Sequence, residues 1–342
     1  MAPKTTLPVG SLILVTGVSG YISAQIVQQL LDRGYKVRGT VRDPVKSEWL
    51  SNDLFATHTA SGSFHLVGLK DINDEGQVKA AVKGVDGVIH VATPNTLDPN
   101  PNNVIPETID LVIKLARAAA AEKSVKEFVY TSTIAATSML PFQPGFHFDG
   151  TNWNEAVRDI AWAPPPYTPE RGFPVYIQSK VEAEQAFWKF VEEENPSFAS
   201  NTIIVATVFG PRLHVSQGGS TTAWLFGLAN NDPSALQFFP TSIFVDVRDV
   251  ALLHIAALLD PTIKNARLPA WSTEFYWEDV LDILRKHQPG KPFPANPDIT
   301  KVPLGTADTK QAKKALQEWG GQDDFISLEK GVIDTLKGAP LP

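Results

Sequence analysis

The chain has 342 residues, a net charge of −7, and 43% hydrophobic and 20% charged residues, the balance of a globular protein with one large domain or two smaller ones. The acidic excess excludes the Lys/Arg surplus of a nucleic-acid binder and a polybasic patch for anionic lipid, and the absence of cysteine excludes disulfides, thiolate nucleophiles and cysteine-based zinc sites. No apolar run reaches bilayer length and no secretory leader pattern is present, so no membrane partner and a cytoplasmic location are expected.

Residues 11–16 (SLILVT) form a short apolar run that predicts a strand. A helix follows, with Ile22, Ile26, Val27, Leu30 and Leu31 on one stripe, and Gly34 ends it. Residues 35–41 read as the next strand, and 64–67 and 85–91 as two more. Residues 104–121, rich in Ala, Leu and Ile, predict a helix, and 128–131 another strand. Strands alternating with helices imply a parallel sheet with right-handed crossovers, an α/β fold of the Rossmann-type, doubly wound class. Residues 141–174, rich in proline, glycine and aromatics, read as an irregular segment. A long helix over 175–194, a strand over 202–207 and a polar loop at 216–220 come next. Residues 244–247 and a helix after Asp249 return to the sheet pattern, and weaker helices lie near 277–286, 309–317 and 327–336. The expected division is a nucleotide-binding domain over 1–208, rejoined by 244–262, with 209–243 and 263–342 forming a smaller C-terminal substrate-binding region.

The first strand runs into Thr16-Gly17-Val18-Ser19-Gly20-Tyr21-Ile22-Ser23. Gly17 permits a tight turn, and Gly20 lets backbone N–H groups approach a pyrophosphate at a helix N-terminus. Ser19, Tyr21 and Ile22 complete this cofactor turn. The third small position is Ser23, so helix–strand packing there must tolerate a hydroxyl. The second strand ends at Thr40-Val41-Arg42 with no acid to hold a ribose diol. Arg42 instead suits a 2′-phosphate, with Lys46 as a second cation, which points to NADP(H). Asp71 and Ile72 follow the third strand, where the carboxylate would accept from an adenine amine. Val91, Ala92, Thr93 and Pro94 follow the fourth, small enough for the backbone to lie against a cofactor.

Tyr176 and Lys180 stand four apart on the long helix and so share a face. A free phenol has a pKa near ~10. A neighbouring ammonium favours the phenolate and is expected to lower that value, making Tyr176 a competent proton donor to a forming alkoxide. The pair follows a strand ending Tyr130-Thr131-Ser132-Thr133. A hydroxyl there would bind the substrate oxygen: Thr133 is the choice and Ser132 the rival, with Thr131 beside the cofactor.

Taken together, these segments resemble the extended short-chain dehydrogenase/reductase superfamily, and within it the branch of dihydroflavonol reductases and yeast and fungal aldehyde and ketone reductases. The likeness rests on residues 17–22 (GVSGYI), 37–44 (VRGTVRDP), 89–94 (IHVATP), the Tyr-x-x-x-Lys segment and 244–251 (FVDVRDVA). It covers residues 10–260; the tail matches only in general layout. The resemblance implies Tyr176 as acid–base, Lys180 as the group that binds the nicotinamide ribose, and Thr133 as the hydroxyl on the carbonyl. It also implies that the turn at Thr207-Val208-Phe209-Gly210-Pro211 lends backbone, Val208 in particular, to the nicotinamide amide. The chain departs from the branch at Ser23, at Ala206 where a proline is common, and at Asp149-Gly150 ahead of Trp153 where an acidic pair is frequent.

Dehydratases of the superfamily follow the matching threonine with acidic partners; here Ile134 and Ala135 come next. From residue 213 to 244 there is no Arg or Lys to hold a sugar nucleotide, whereas Trp224, Phe238, Phe239 and Phe244 are present. The segment fits an apolar aldehyde or ketone, with Thr93, Pro94, Phe142, Trp224, Phe238 and Phe239 as candidate substrate contacts and Trp162 and Tyr167 as further wall. The seven histidines show no metal-ligand spacing, and no metal is expected. The expectation is NADPH-dependent reduction of carbonyls to alcohols by a monomer or homodimer. The alternatives are a non-catalytic NADP-binding regulator and a nucleotide-sugar epimerase or dehydratase.

Overall fold

The computed structural model describes residues 4–139, 145–217, 220–237, 241–301 and 305–338. In chain order the first half comprises β1 (Leu12–Thr16), α1 (Tyr21–Asp32), β2 (Lys36–Val41), α2 (Ala56–Ala60), β3 (Phe64–Gly68), α3 (Glu75–Val82), β4 (Gly87–His90), α4 (Pro101–Ala121) and β5 (Glu127–Thr133). The second half comprises β6 (His147–Phe148), α5 (Arg158–Ala161), α6 (Gly172–Glu194), β7 (Ala199–Val205), β8 (Thr207–Phe209), α7 (Ser220–Ala229), β9 (Thr241–Asp246), α8 (Val247–Leu259), β10 (Arg267–Ala270), β11 (Thr273–Tyr276), α9 (Trp277–His287), β12 (Thr306–Ala307), α10 (Lys310–Gly320) and α11 (Leu328–Lys337). Among the described residues no helix is long and apolar enough to cross a membrane.

Seven strands form one sheet in the order β10-β7-β5-β4-β1-β2-β3, and every pairing in it is parallel. The order reverses between β1 and β4, so their carboxyl ends splay apart and open the crevice where ligands collect in such sheets. Alternate residues serve opposite faces. Ile13, Val15 and Val129 join the core under α1 and α8. Leu14, Phe128 and Tyr130 join the core under α3, α4 and α6. Each fully buried Leu or Phe contributes about 1.5–3 kcal/mol, so the parity of each strand is strongly set.

Caps place several helix ends where periodicity alone does not. Helix α4 begins at Pro101, ahead of the expected 104, because the Asn100 side chain accepts from the Asn102 N–H and proline suits the first helical position. Helix α8 begins at Val247, capped by the buried Asp246 carboxylate on the Arg248 N–H. Helix α6 begins at Gly172, not 175, and ends at Asn195 in the left-handed region (φ 42°).

Two parts of the expected division are corrected. Strand β9 does not rejoin the large sheet; it sits in a three-stranded sheet in the order β11-β9-β8. Its Phe244 packs with Phe209, Phe275 and Trp277 in a separate aromatic core. Its Ile243 and Val245 nonetheless join the core under α1 and α8, and α8 itself packs beside α1. Conversely β10, within the range assigned to the smaller region, pairs with β7 at the edge of the large sheet.

Candidate active site

The turn after β1 is built around Gly17 (φ 67°). A Cβ there would stand 3.1 Å from the Ala92 Cβ, so both the left-handed backbone and the approach to the loop after β4 require glycine. Ser23, the departure at the third small position, is buried. Its hydroxyl donates to the Gly17 carbonyl and sits 3.2 Å from that of Gly20. It braces the turn from inside the helix. Helix α1 has no side-chain cap and no acid in its first turn, leaving the first-turn amides of Tyr21 and Ile22 with no side-chain acceptor for their N–H groups. The Tyr21 side chain itself turns away and donates to the Gly210 carbonyl at 2.7 Å. Ser19 and Gly20 are partly exposed at the lip of the turn.

The Thr16 hydroxyl oxygen accepts from the Val91 and Ala92 N–H groups, 3.0 Å each. Its one hydrogen therefore goes to His90 Nδ1 at 2.8 Å, which makes Nδ1 an acceptor and the imidazole neutral. Burial pushes His90 down to about 3, in the same sense. This bond holds the loop carrying Val91, Ala92, Thr93 and Pro94, all partly exposed, beside the glycine turn.

At the end of β2, Arg42 and Lys46 are exposed, and neither side chain has a hydrogen-bond or ion-pair partner among the described residues. Asp43 accepts from the Val45 and Lys46 N–H groups and shapes the loop that presents them. Arg38, by contrast, is spent on the carbonyls of Ala81 and Lys83 at the C-terminal end of α3, at 2.9 and 2.7 Å. Asp71 is exposed, with its carboxylate accepting from the Asn73 N–H. Ile72 packs against the α3–α4 core.

The three hydroxyls ending β5 part company. Thr131 faces α8, where it bonds His254 Nε2 at 2.8 Å. His254 Nδ1 donates to the Val250 carbonyl, so Nε2 accepts and Thr131 donates. The Thr131 hydroxyl is thus committed to His254, and its carbonyl accepts from Lys180 at 2.8 Å. Ser132 is buried and donates to Glu184 Oε2 at 2.5 Å. Thr133 is partly exposed, and its oxygen accepts from the Ala135 N–H at 3.3 Å, which leaves the hydroxyl hydrogen available.

Tyr176 stands one turn into α6, half-buried, packed against the cluster of Ala135, Ala136, Val157, Ile177 and Val181 and stacked near Phe173 (centroids 6.2 Å apart). Its phenol has no hydrogen-bond partner among the described residues. Gly172 anchors this end of the helix: a Cβ there would meet the Leu97 carbonyl oxygen at 2.3 Å. Leu97 itself is held in the left-handed region (φ 51°). That contact sets the loop after β4 against the start of α6.

Lys180 is 3% exposed. Its Nζ donates to Thr93 Oγ1 (3.1 Å), the Tyr130 hydroxyl (2.9 Å) and the Thr131 carbonyl (2.8 Å). Burial pushes its pKa down to about 7, with nearby Glu184 opposing. The expected lowering of the Tyr176 phenol is corrected here. The ammonium is engaged by three other acceptors, and burial alone holds the phenol above its ordinary value.

Three features escaped the sequence reading. Glu184, one turn beyond Lys180 and fully buried, accepts from Ser132, Thr202 and Arg267. Arg267 in turn donates to the Gly150 and Asn152 carbonyls and lies 3.7 Å over the Trp153 ring, tying the middle segment to the sheet edge. Tyr130 contacts Lys180 from the sheet. The Glu184 signal was present in the sequence as an acid four residues after the lysine, on the same face.

Farther out, Val208 is buried in β8. Gln25 and Gln217 donate to the Pro211 and Gly20 carbonyls, at 3.0 and 3.4 Å, lashing the segment after β8 to the glycine turn. Trp224 is half-buried, packed against the aromatic core and edge-on to Trp277 at 6.1 Å. Trp162 is exposed and donates to Glu182, and Tyr167 lies under Arg171. Phe142, Phe238 and Phe239 lie outside the described residues.

The model of the NAD dependent epimerase/dehydratase family matches residues 13–266. A ketoreductase of Penicillium roqueforti is 36% identical over 340 residues, covering 97% of this chain and 98% of its own. Aldehyde reductase 2 of Sporidiobolus salmonicolor is 35% identical over 337 residues, covering 97% and 96%. Among solved structures, Gre2 of Candida albicans in complex with NADPH superposes with a TM-score of 0.80 at 25% identity, covering 96% of this chain and 98% of that one.

Proposed function

The chain belongs to the NAD dependent epimerase/dehydratase family, and from that premise we propose that it is an NADPH-dependent carbonyl reductase acting on apolar aldehydes and ketones, such as aryl ketones and keto esters. The observation that carries the reading is the unpartnered Tyr176 phenol, one helical turn from a buried Lys180 and packed against the cluster that holds Ala135 and Ala136, the residues that follow Thr133 and the end of β5. The names of the ketoreductase and aldehyde reductase relatives support it.

The residues present fit NADPH. The uncapped first turn of α1 would hold the pyrophosphate, and the unpaired Arg42 and Lys46 would hold the 2′-phosphate. Lys180 would hold the nicotinamide ribose, exchanging its Thr93 contact for it. When bound, the reduced nicotinamide supplies a hydride.

The protein's own part is to bind the carbonyl and deliver the proton. The Thr133 hydroxyl donates to the substrate oxygen. The Tyr176 phenol, kept protonated by burial, hands its proton to that oxygen as negative charge develops on it. Ser132 takes no part, because its hydrogen is committed to Glu184. Thr93 and Pro94, partly exposed on the loop after β4, would border the bound carbonyl.

The test is a panel of aryl ketones, β-keto esters, aliphatic aldehydes and nucleotide sugars, run with NADPH and with NADH. Oxidation of NADPH by the apolar carbonyls, with NADH much the poorer, is expected. Tight NADPH binding with no carbonyl turned over would favour a regulatory protein, and turnover of a nucleotide sugar would favour an epimerase or dehydratase.

A further inference from the structure

We propose that Tyr130 is a positioning residue for Lys180: its phenol oxygen accepts the Nζ hydrogen from beneath and holds the ammonium where the nicotinamide ribose would meet it. This rests on the reading of Lys180 given above.

Tyr130 lies on β5 and turns its ring onto the α4–α6 face, among Phe128 and Phe187. A phenylalanine would fill that space equally well. The hydroxyl is the part that packing does not explain. It is carried into a site where Tyr130 is 1% exposed, and it finds the Lys180 Nζ at 2.9 Å. The same ammonium stands 4.6 Å from the ring centroid, so oxygen and ring both favour the positive charge.

The other two acceptors of Nζ differ in kind. Thr93 lies in the partly exposed loop beside the expected ribose, and its bond is the one that yields to a ligand. The Thr131 carbonyl is backbone and fixed in the sheet. Tyr130 is therefore the one buried side chain that remains on the lysine through binding. The charged and titratable groups around Nζ supply no better anchor. His90 on β4 stacks on the Tyr130 ring (5.5 Å) but is neutral. Glu184 on α6 is engaged by Arg267 of β10. Tyr176 on α6 keeps its proton. In a lysine so desolvated, each acceptor at hydrogen-bond distance favours the charged form.

The test is Tyr130→Phe, which preserves the ring. In cofactor-free protein, urea unfolding of wild type, Tyr130→Phe, Lys180→Met and the double variant closes a cycle. The two changes are expected to deviate from additivity by roughly tenfold in the unfolding constant. In the pH profile of ethyl acetoacetate reduction with NADPH, the alkaline limb of kcat/KM should move down by about one pH unit in Tyr130→Phe, because the charged lysine has lost an acceptor. Additive unfolding within about twofold, with the limb unmoved, overturns the proposal and leaves Tyr130 a packing residue. If wild type reduces no carbonyl, the functional reading fails, and the unfolding cycle alone still decides the role of Tyr130.

Discussion

Replacing Lys180 by methionine should stabilise the cofactor-free protein at neutral pH, by an amount that fades as the pH rises. The lysine's ordinary value of 10.5 is pushed down to about 7 by burial. At about 1.4 kcal/mol per pH unit, that gap is worth roughly 5 kcal/mol. A folded-state value below the unfolded one means that the unfolded chain binds more protons between pH 7 and 10.5. The contribution of Lys180 to wild-type stability therefore climbs with pH across that window and is flat below it. The methionine variant lacks this climb. It also strands the Tyr130 hydroxyl and Thr131 carbonyl, costing about 1–3 kcal/mol, so the net gain near pH 7 should be a few kcal/mol. Urea unfolding of both proteins at pH 7, 8 and 9 reads the difference, which should shrink by about 1.4 kcal/mol per unit. A difference constant across those pH values would refute the claim that this ammonium is desolvated.

Arg42→Ala should weaken NADPH roughly 10- to 100-fold, the worth of charge-assisted bonds to a phosphate, while NADH affinity changes less than about twofold. Fluorescence titration with both cofactors reads this, and equal losses would remove Arg42 from the 2′-phosphate. Gly172→Ala separates propensity from packing. A glycine-to-alanine change in a helix ordinarily stabilises by about 0.5–1 kcal/mol. Here the new Cβ would meet the Leu97 carbonyl oxygen at 2.3 Å, so destabilisation of about 1–3 kcal/mol and a raised KM for the carbonyl are expected, by urea unfolding and steady-state kinetics; a stabilised variant would contradict the contact.

Local signals carried the nucleotide half of the fold. The glycine turn, its flanking strand and helix, and the Tyr-x-x-x-Lys spacing are each confined to a few neighbouring residues and could be read directly. Long-range pairing could not. Nothing local separates β9 from the large sheet, because its placement is decided by β8 and β11 (antiparallel Glu274 opposite Ile243, for example). Strand β10 reads Arg267-Leu268-Pro269-Ala270, and its proline argues against a strand unless the strand lies at a sheet edge. The same limit governed the site. Which of Thr131, Ser132 and Thr133 faces α8, which faces α6 and which faces the cleft depends on the parity of β5 within the sheet. For that reason the roles of Tyr130, which accepts from the lysine, and of Glu184, whose charge acts on it, went unnoticed while Lys180 itself was plain. The expectation that Lys180 would acidify Tyr176 followed from their spacing; the ammonium instead reaches Tyr130 and Thr131 on β5 and Thr93 on the loop after β4.

The most direct test is Tyr176→Phe, assayed for NADPH binding and for carbonyl turnover in the same preparation. NADPH affinity within about twofold of wild type, with kcat reduced by about 100-fold or more, is the outcome expected if the phenol delivers the proton. A variant that binds NADPH and still reduces the carbonyl at close to the wild-type rate would contradict it.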